Sequence, residues 1–372
     1  MRKFFALFLC LLMVCASAAM AEDYWVEENW QKINREIDCD GLQLVIDARV
    51  MQVPEGTMVQ EYHTKILNNE FMKETMNEVD WSKFGVDTSS GKWRQPTKDW
   101  PEYTYTSGEN IYPTFSLFSI NKFIFRKCSP EYANDLSGSG TYLQGKYPET
   151  VDLSPIGTLT ETQVREAAEK VAEICGVQLG QPMNALRVEQ VEVVRAAMER
   201  VINLYGNIEG ISLNPADAEE YLFMDVLFPV YFHGLRLYSG AYESTTSGIE
   251  IPDLYMRIIV TKDHGLISAR CPVFDPDDFV ATTEPQRALN AEEMIDSISE
   301  QFANLYLPGV KQVTLNRLAL EYAAVAGDVS ASTGYTVYPV WVASYTYIME
   351  REDRAPVMVY YGYDAITGQR MF

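Results

Sequence analysis

The alternation of apolar and polar positions is clearest near the C-terminus, where it predicts a β-hairpin. β-Branched and aromatic residues dominate segments 335–347 and 357–363, and the charged segment 350–354 separates them. After the second segment, Asp364 has a carboxylate that can accept backbone hydrogen bonds, and Gly368 can adopt positive φ. The pattern therefore predicts two paired strands followed by a tight turn.

Other segments give weaker strand signals. Residues 42–50 alternate apolar and polar side chains with a period of two, which indicates a half-buried strand. Residues 58–66 and 313–322 also favour strands. Residues 69–79 have a weak helical pattern, so the N-terminal part is expected to contain both kinds of element.

Two amphipathic helices carry recognisable start signals. Thr160 with Gln163, and Asn290 with Glu293, have the spacing of a capping box. Apolar stripes at helical spacing follow each box, and Gly176 terminates the first helix. A further helix is predicted over residues 184–205.

These elements predict an α+β fold in which amphipathic helices cover antiparallel β-sheets. Residues 228–232 parallel residues 338–342, which favours two tandem helix-plus-hairpin units. The predicted boundaries are a signal peptide at 1–21, a loop-rich α+β region at 22–155, a first unit at 156–283 and a second at 284–372.

The first residues predict export from the cytoplasm. Arg2 and Lys3 precede an apolar segment, residues 4–14, that is too short to span a bilayer, and residues 19–21 form an A-x-A cleavage site. The mature chain is expected to start at Glu22 and to be secreted or extracytoplasmic. The alternative is a lipid anchor at Cys15, although Val14 is larger than the residues that favour lipidation.

The charge of the chain limits its partners. The formal net charge is −22, and cleavage after residue 21 removes two basic residues and no acid, which takes the charge to −24. Such a chain repels phosphate groups, which argues against nucleic acid and anionic lipid as partners. A hydrophobic content of 47% argues against a disordered chain.

The chemistry of the side chains leaves several alternatives open. Four cysteines follow the predicted cleavage site, and an even number in an exported chain permits two disulfides in any of three connectivities, or buried free thiols. They are Cys39, Cys128, Cys175 and Cys271.

Three aspartates that are close in sequence, Asp275, Asp277 and Asp278, are a weak candidate site for Ca²⁺. The candidate is weak because the segment lacks the ligand spacing of an EF-hand loop, and the alternative is a solvated linker.

Residues 84–150 are rich in turn-forming residues, with tryptophan and tyrosine residues interspersed among them. Trp93, Trp100, Tyr103 and Tyr105 are candidates for stacking on sugar rings or filling a pocket of a partner, and the alternative is that they cover the core. The chain has three histidines, far apart, and no GxSxG, Walker or GxGxxG motif. The sequence therefore predicts a non-enzymatic protein without a cofactor.

The segment 289–372 resembles a PepSY-type domain, because a helix is followed by strands that end in Asp364-Ala365-Ile366-Thr367-Gly368. The whole chain is similar to uncharacterised exported or lipid-anchored proteins of Gram-positive bacteria. PepSY-type domains are associated with restraint of secreted peptidases, so the resemblance implies a protein partner in the envelope or outside the cell. The expected function is binding to such a protein, and the alternative is binding to a glycan or the cell wall through residues 93–105.

Overall fold

The computed structural model describes most of the chain from residue 29 onward. The described residues are 29–39, 42–65, 67–97, 102–107, 114–118, 122–126, 160–182, 184–189, 222–238, 255–261, 265–274, 279–305, 307–326, 334–351 and 356–372. The α-helices are α1 (Asn69–Glu78), α2 (Glu161–Cys175) and α3 (Ala291–Ala303). A 3₁₀-helix spans Trp81–Phe84. The strands are β1 (Trp30–Cys39), β2 (Leu42–Met51), β3 (Met58–Val59), β4 (Tyr62–Thr64), β5 (Lys92–Arg94), β6 (Glu102–Thr106), β7 (Phe115–Phe118), β8 (Lys122–Arg126), β9 (Gln178–Leu179), β10 (Asn184–Glu189), β11 (Leu222–Phe232), β12 (Leu235–Tyr238), β13 (Tyr255–Thr261), β14 (Gly265–Pro272), β15 (Val280–Ala281), β16 (Gln286–Arg287), β17 (Val310–Ala326), β18 (Tyr335–Met349) and β19 (Val357–Asp364).

The fold is mostly β, and the predicted helix-covered α+β class of tandem PepSY-like units is wrong. Seventeen of the described strands belong to one hydrogen-bonded network, whereas the described residues contain three α-helices. The N-terminal region expected to be rich in loops contributes strands to this network. Local patterns identify hairpins, but they do not reveal pairings between strands that are distant in sequence, and such pairings build most of this fold.

The C-terminal sheet has the order β1-β2-β17-β18-β19. Its pairs are antiparallel except for β2 and β17, which run parallel with Leu44 opposite Val313. The long strand β17 also pairs in parallel with β12. Parallel neighbours need a long connection between them, so this sheet joins an early segment of the chain to the last one.

The predicted C-terminal hairpin is confirmed. Strands β18 and β19 pair with Tyr345 opposite Val359, and the turn follows directly. The Asp364 carboxylate accepts hydrogen bonds from the backbone N–H groups of Ile366 and Thr367, at 3.0 and 2.6 Å. Gly368 has φ +72°. A Cβ at that position would lie 2.6 Å from the hydroxyl oxygen of Ser297, so both conformation and space require glycine there.

Helix α3 packs on the C-terminal sheet as its apolar stripe predicts. The capping box of Asn290 and Glu293 is present in both directions. The Phe302 ring lies 5.3 Å from the ring of Tyr345, which in turn lies 5.5 Å from Tyr361. The helix therefore covers the face of the sheet on which the β19 side chains Val359 and Tyr361 are buried.

The central sheet is antiparallel throughout, in the order β5-β6-β7-β8-β14-β13-β11-β10. Strand β11 continues beyond it and pairs with β9 and β12, which connects the central sheet to the C-terminal sheet. The predicted helix over residues 184–205 is wrong over 184–189, because those residues form β10 paired with β11. Residues 190–205 lie outside the described part of the chain.

Helix α2 covers β13 and β14 of the central sheet. Its predicted capping box of Thr160 and Gln163 is confirmed, and Gly176 ends it in the left-handed conformation with φ +63°. The predicted domain boundaries stay a prediction. Strands from residues 22–155 pair with both later parts of the chain, β2 with β17 and β8 with β14.

Candidate functional site

The predicted aromatic binding residues are largely part of the core. Tyr103 and Tyr105 on β6 are 2% and 0% exposed, and the half-buried Trp93 ring lies 5.4 and 4.8 Å from theirs. The Tyr105 hydroxyl donates a hydrogen bond to the backbone carbonyl of Asp87 at 3.0 Å. The two tyrosines therefore have no exposed ring face for a ligand, and Trp93 alone of the described residues in this set has a partly exposed side chain.

The other predicted site residues are only partly described. Trp100, Cys128 and the three aspartates at 275, 277 and 278 lie outside the described residues, as do Cys15 and the predicted signal peptide. Within the described ranges, no three His, Cys, Asp or Glu side chains are grouped closely enough to hold a metal ion. No helix in the same part of the chain is long and apolar enough to cross a bilayer.

A cleft of about 400 Å³ lies between α1, the 3₁₀-helix and the C-terminal end of α2. Its apolar lining comes from both sides, with Phe71, Val79 and Phe84 on one wall and Ile174 and Phe274 on the other. Phe84 and Phe274 are buried, whereas the other three are half-buried and accessible from the cleft. These five side chains can therefore accept an apolar group in the cleft.

The first wall is held in place by local caps and by aromatic packing. Asn68 accepts a hydrogen bond from the Phe71 N–H at 2.8 Å and starts α1. The Trp81 indole donates to the carbonyl of Met76 at 3.0 Å, and its ring stacks on Phe115 of the central sheet at 3.7 Å. These contacts fix α1 and the 3₁₀-helix on the strands β6 and β7.

The second wall is the last turn of α2. The N–H of Val177 donates to the carbonyl of Ala172 at 3.1 Å, which closes the helix end. The carbonyl of Cys175 accepts from the N–H of Phe274 at 3.4 Å. This bond links the helix end to the segment after β14, so the two sides of the second wall are held together.

The rim of the cleft carries charges of both signs, with an excess of acids. The exposed lining residues are three acids, Glu78, Asp80 and Glu173, and two lysines, Lys83 and Lys170. Hydrogen bonds from the side chain and backbone of Ser82 lower the pKa of Asp80, which is therefore ionised at neutral pH. Apolar lining beside these charges suits a group that is apolar at its tip and positively charged next to it.

Sequence reasoning missed a second aromatic cluster, at the turn between β11 and β12. His233 has φ 48° and is followed by Gly234 with φ 80°, which is the backbone pair of a two-residue hairpin turn. The His233 ring stacks on Tyr62 at 4.8 Å, and burial lowers its pKa. The turn geometry accounts for the unusual φ, and the stacking holds β4 against the turn.

Sequence reasoning also missed the cleft itself. Its two walls come from separate parts of the chain, and none of the lining residues forms a short motif. The one signal available in the sequence was the predicted end of α2 at Gly176, which fixes the position of one wall.

Comparison with known proteins shows that this chain shares its overall fold with another protein of known structure. No protein-family model matches the chain, and no curated protein matches it. The crystal structure of an uncharacterized protein from Eubacterium rectale ATCC 33656 superposes with a TM-score of 0.58 at 14% identity, covering 95% of this chain and 98% of that one. The PepSY resemblance has no support from these comparisons. The chain is similar in overall fold to the Eubacterium rectale protein, and an identity this low shows the fold alone.

Proposed function

We propose that this chain is an exported, non-enzymatic protein that binds another protein outside the cytoplasm, and that the cleft between α1 and α2 takes an apolar side chain of that partner. The cleft is the observation that supports this function. Its apolar lining and its volume fit one large side chain, as in anchor pockets of protein interfaces.

The charges around the cleft limit the kinds of partner segment that can bind there. Three acids and two lysines line the rim, and the whole chain has a net charge of −22. A partner segment with an aromatic or long aliphatic residue flanked by Lys or Arg is therefore favoured both in the encounter and in the bound state.

Replacing Thr75 with tryptophan is expected to weaken this binding by about tenfold or more. Thr75 is half-buried on the cleft wall, so an indole there occupies the space that the anchor of the partner needs. Losing the burial of one large apolar side chain corresponds to about 1.5 to 3 kcal/mol, which is a loss in affinity of about tenfold or more. Peptides selected from a random displayed library on the purified protein, and then measured by titration calorimetry, provide the test.

The control is Lys73→Trp, which adds the same side chain to an exposed position of α1 outside the cleft lining. We expect the selected peptides to share an apolar residue beside basic ones, and to bind Lys73→Trp as tightly as the unaltered protein. Equal binding to both tryptophan variants would remove the cleft from the interface. Binding to a glycan array that is lost in Trp93→Ala would instead favour the glycan alternative.

Export of the protein, and the residue at which the mature chain starts, are a separate prediction. We expect the exported protein to start at Glu22 without lipidation, because the A-x-A site ends at residue 21 and Val14 disfavours modification of Cys15. Edman sequencing and intact mass measurement of protein recovered from the culture medium provide the test. A membrane-associated product with a lipid-modified Cys15 at its N-terminus contradicts the prediction.

A further inference from the structure

Two cysteines that are distant in sequence lie side by side beneath the cleft. Cys175 is the last residue of α2, and Cys271 lies on β14, the strand that this helix covers. The two side chains are 1% and 0% exposed. Packing of the helix on the strand therefore brings the two thiols to one place in the core.

The contact between them is direct. The side chains of Cys175 and Cys271 are in hydrogen-bonding contact, and the backbone bond from Phe274 to Cys175 holds the surrounding segments together. Burial, together with the neighbouring thiol, raises the pKa of the Cys175 thiol well above its ordinary value. In the folded reduced protein the Cys175 thiol is therefore protonated, and burial shields both side chains from bulky reagents.

Cys39 has a different environment. It lies at the end of β1 in the C-terminal sheet, where its thiol donates a hydrogen bond to the carbonyl of Ser299 at 3.6 Å. Among the described cysteines, Cys39 interacts with the backbone of α3, whereas Cys175 and Cys271 interact with one another. The fold thus favours one pairing among those that the sequence leaves open.

We propose that Cys175 and Cys271 form a disulfide when the protein folds in an oxidising compartment. The two thiols lose two protons and two electrons as the S–S bond forms, and a disulfide oxidant of the type RSSR takes them up and leaves as two RSH molecules. Because the thiols are buried in the folded protein, the exchange takes place during folding, before the helix closes over the strand. The bond then ties one wall of the cleft to the central sheet.

Peptide mapping of the whole protein tests the pairing. Each cysteine after the predicted cleavage site falls in its own tryptic peptide, with Cys175 in 171–187, Cys271 in 271–287, Cys39 in 36–49 and Cys128 in 128–146. The protein is unfolded in denaturant, refolded with a mixture of oxidised and reduced glutathione, alkylated under denaturing conditions without reductant, and digested. We expect peptides 171–187 and 271–287 to be joined, and to separate after reduction.

A redox-dependent melting temperature gives a second readout. The oxidised protein is expected to melt several degrees above the reduced protein, because the bond closes a long loop. Cys175→Ala should remove this difference, whereas the matched change Cys39→Ala should retain it. Alkylation of both Cys175 and Cys271 in refolded protein with a native circular dichroism spectrum would overturn the proposal, as would either residue linked to Cys39. The result of the peptide mapping does not depend on whether the cleft binds a partner.

Discussion

Replacing Glu321 with alanine is expected to lower the free energy of unfolding by about 3 to 5 kcal/mol, the cost of breaking a buried ion pair by removing one partner. The Glu321 carboxylate lies on β17 and is fully buried. It accepts hydrogen bonds at 2.8 and 2.9 Å from Arg236 on β12, and another from Arg317 on its own strand. Both guanidinium groups are mostly buried. The variant places them close together without this carboxylate between them.

The ion pair joins β12 to β17, so the change weakens the contact at which the two sheets meet. Urea unfolding followed by tryptophan fluorescence measures the loss as a lower midpoint at an unchanged slope. Glu292→Ala is the matched control, because Glu292 forms an exposed ion pair with Arg35 at 2.9 Å. Exposed pairs contribute about 1 kcal/mol or less. Equal losses in the two variants would show that Glu321 is not buried between the arginines.

Replacing Val359 with aspartate is expected to cost about 3 kcal/mol of stability through burial of an unpaired charge. Val359 lies in the middle of β19, opposite Tyr345, and is 8% exposed. It belongs to the core that includes Phe302 of α3 and Tyr361 of its own strand. The aspartate would therefore lie between the sheet and the helix that covers it.

The neighbouring residue provides the control. Met358 points to the other face of β19 and is 56% exposed, so Met358→Asp should change stability by about 0.5 kcal/mol or less. Thermal melts give the melting temperatures of the two variants, whose substituted side chains lie on opposite faces of β19. A melting temperature for Val359→Asp as high as that for Met358→Asp would mean that this strand is not packed under α3.

Local sequence signals predicted the elements whose determinants lie close together in the chain. The hairpin of β18 and β19 depends on alternation within two short segments and on Asp364 in the turn. The caps of α2 and α3 depend on residues three positions apart. In each case the interactions that fix the element lie within a few residues, so the sequence contains the whole signal.

The sheet architecture could not be predicted in this way. Leu44 lies opposite Val313, and Phe125 of β8 lies opposite Ala269 of β14. No local pattern identifies such partners, since many apolar strands could pair equally well by composition. The same limit explains the wrong α+β class, because the helical period over residues 184–189 was overridden by pairing with β11.

The candidate site also depends on contacts between distant segments, which the sequence did not reveal. The aromatic residues at 93–105 were candidates either for binding a ligand or for covering the core, and Tyr103 and Tyr105 are core residues that pack against the half-buried Trp93. The cleft and the contact between Cys175 and Cys271 both arise where α2 meets other parts of the fold. Spacing of the cysteines alone left three connectivities or buried free thiols open, and the packing of α2 on β14 supports the pairing of Cys175 with Cys271 that we propose.

Hydrogen–deuterium exchange with a selected peptide tests the central proposal, that the cleft is the binding site for a partner protein. We expect slower exchange in residues 69–84 and 170–176, the two walls of the cleft, and little change in β19. The same experiment on Thr75→Trp, at a peptide concentration near the dissociation constant for the unaltered protein, should show much weaker protection. Unchanged exchange at both walls, with protection instead at residues 92–94 and 102–106 around Trp93, would contradict the account.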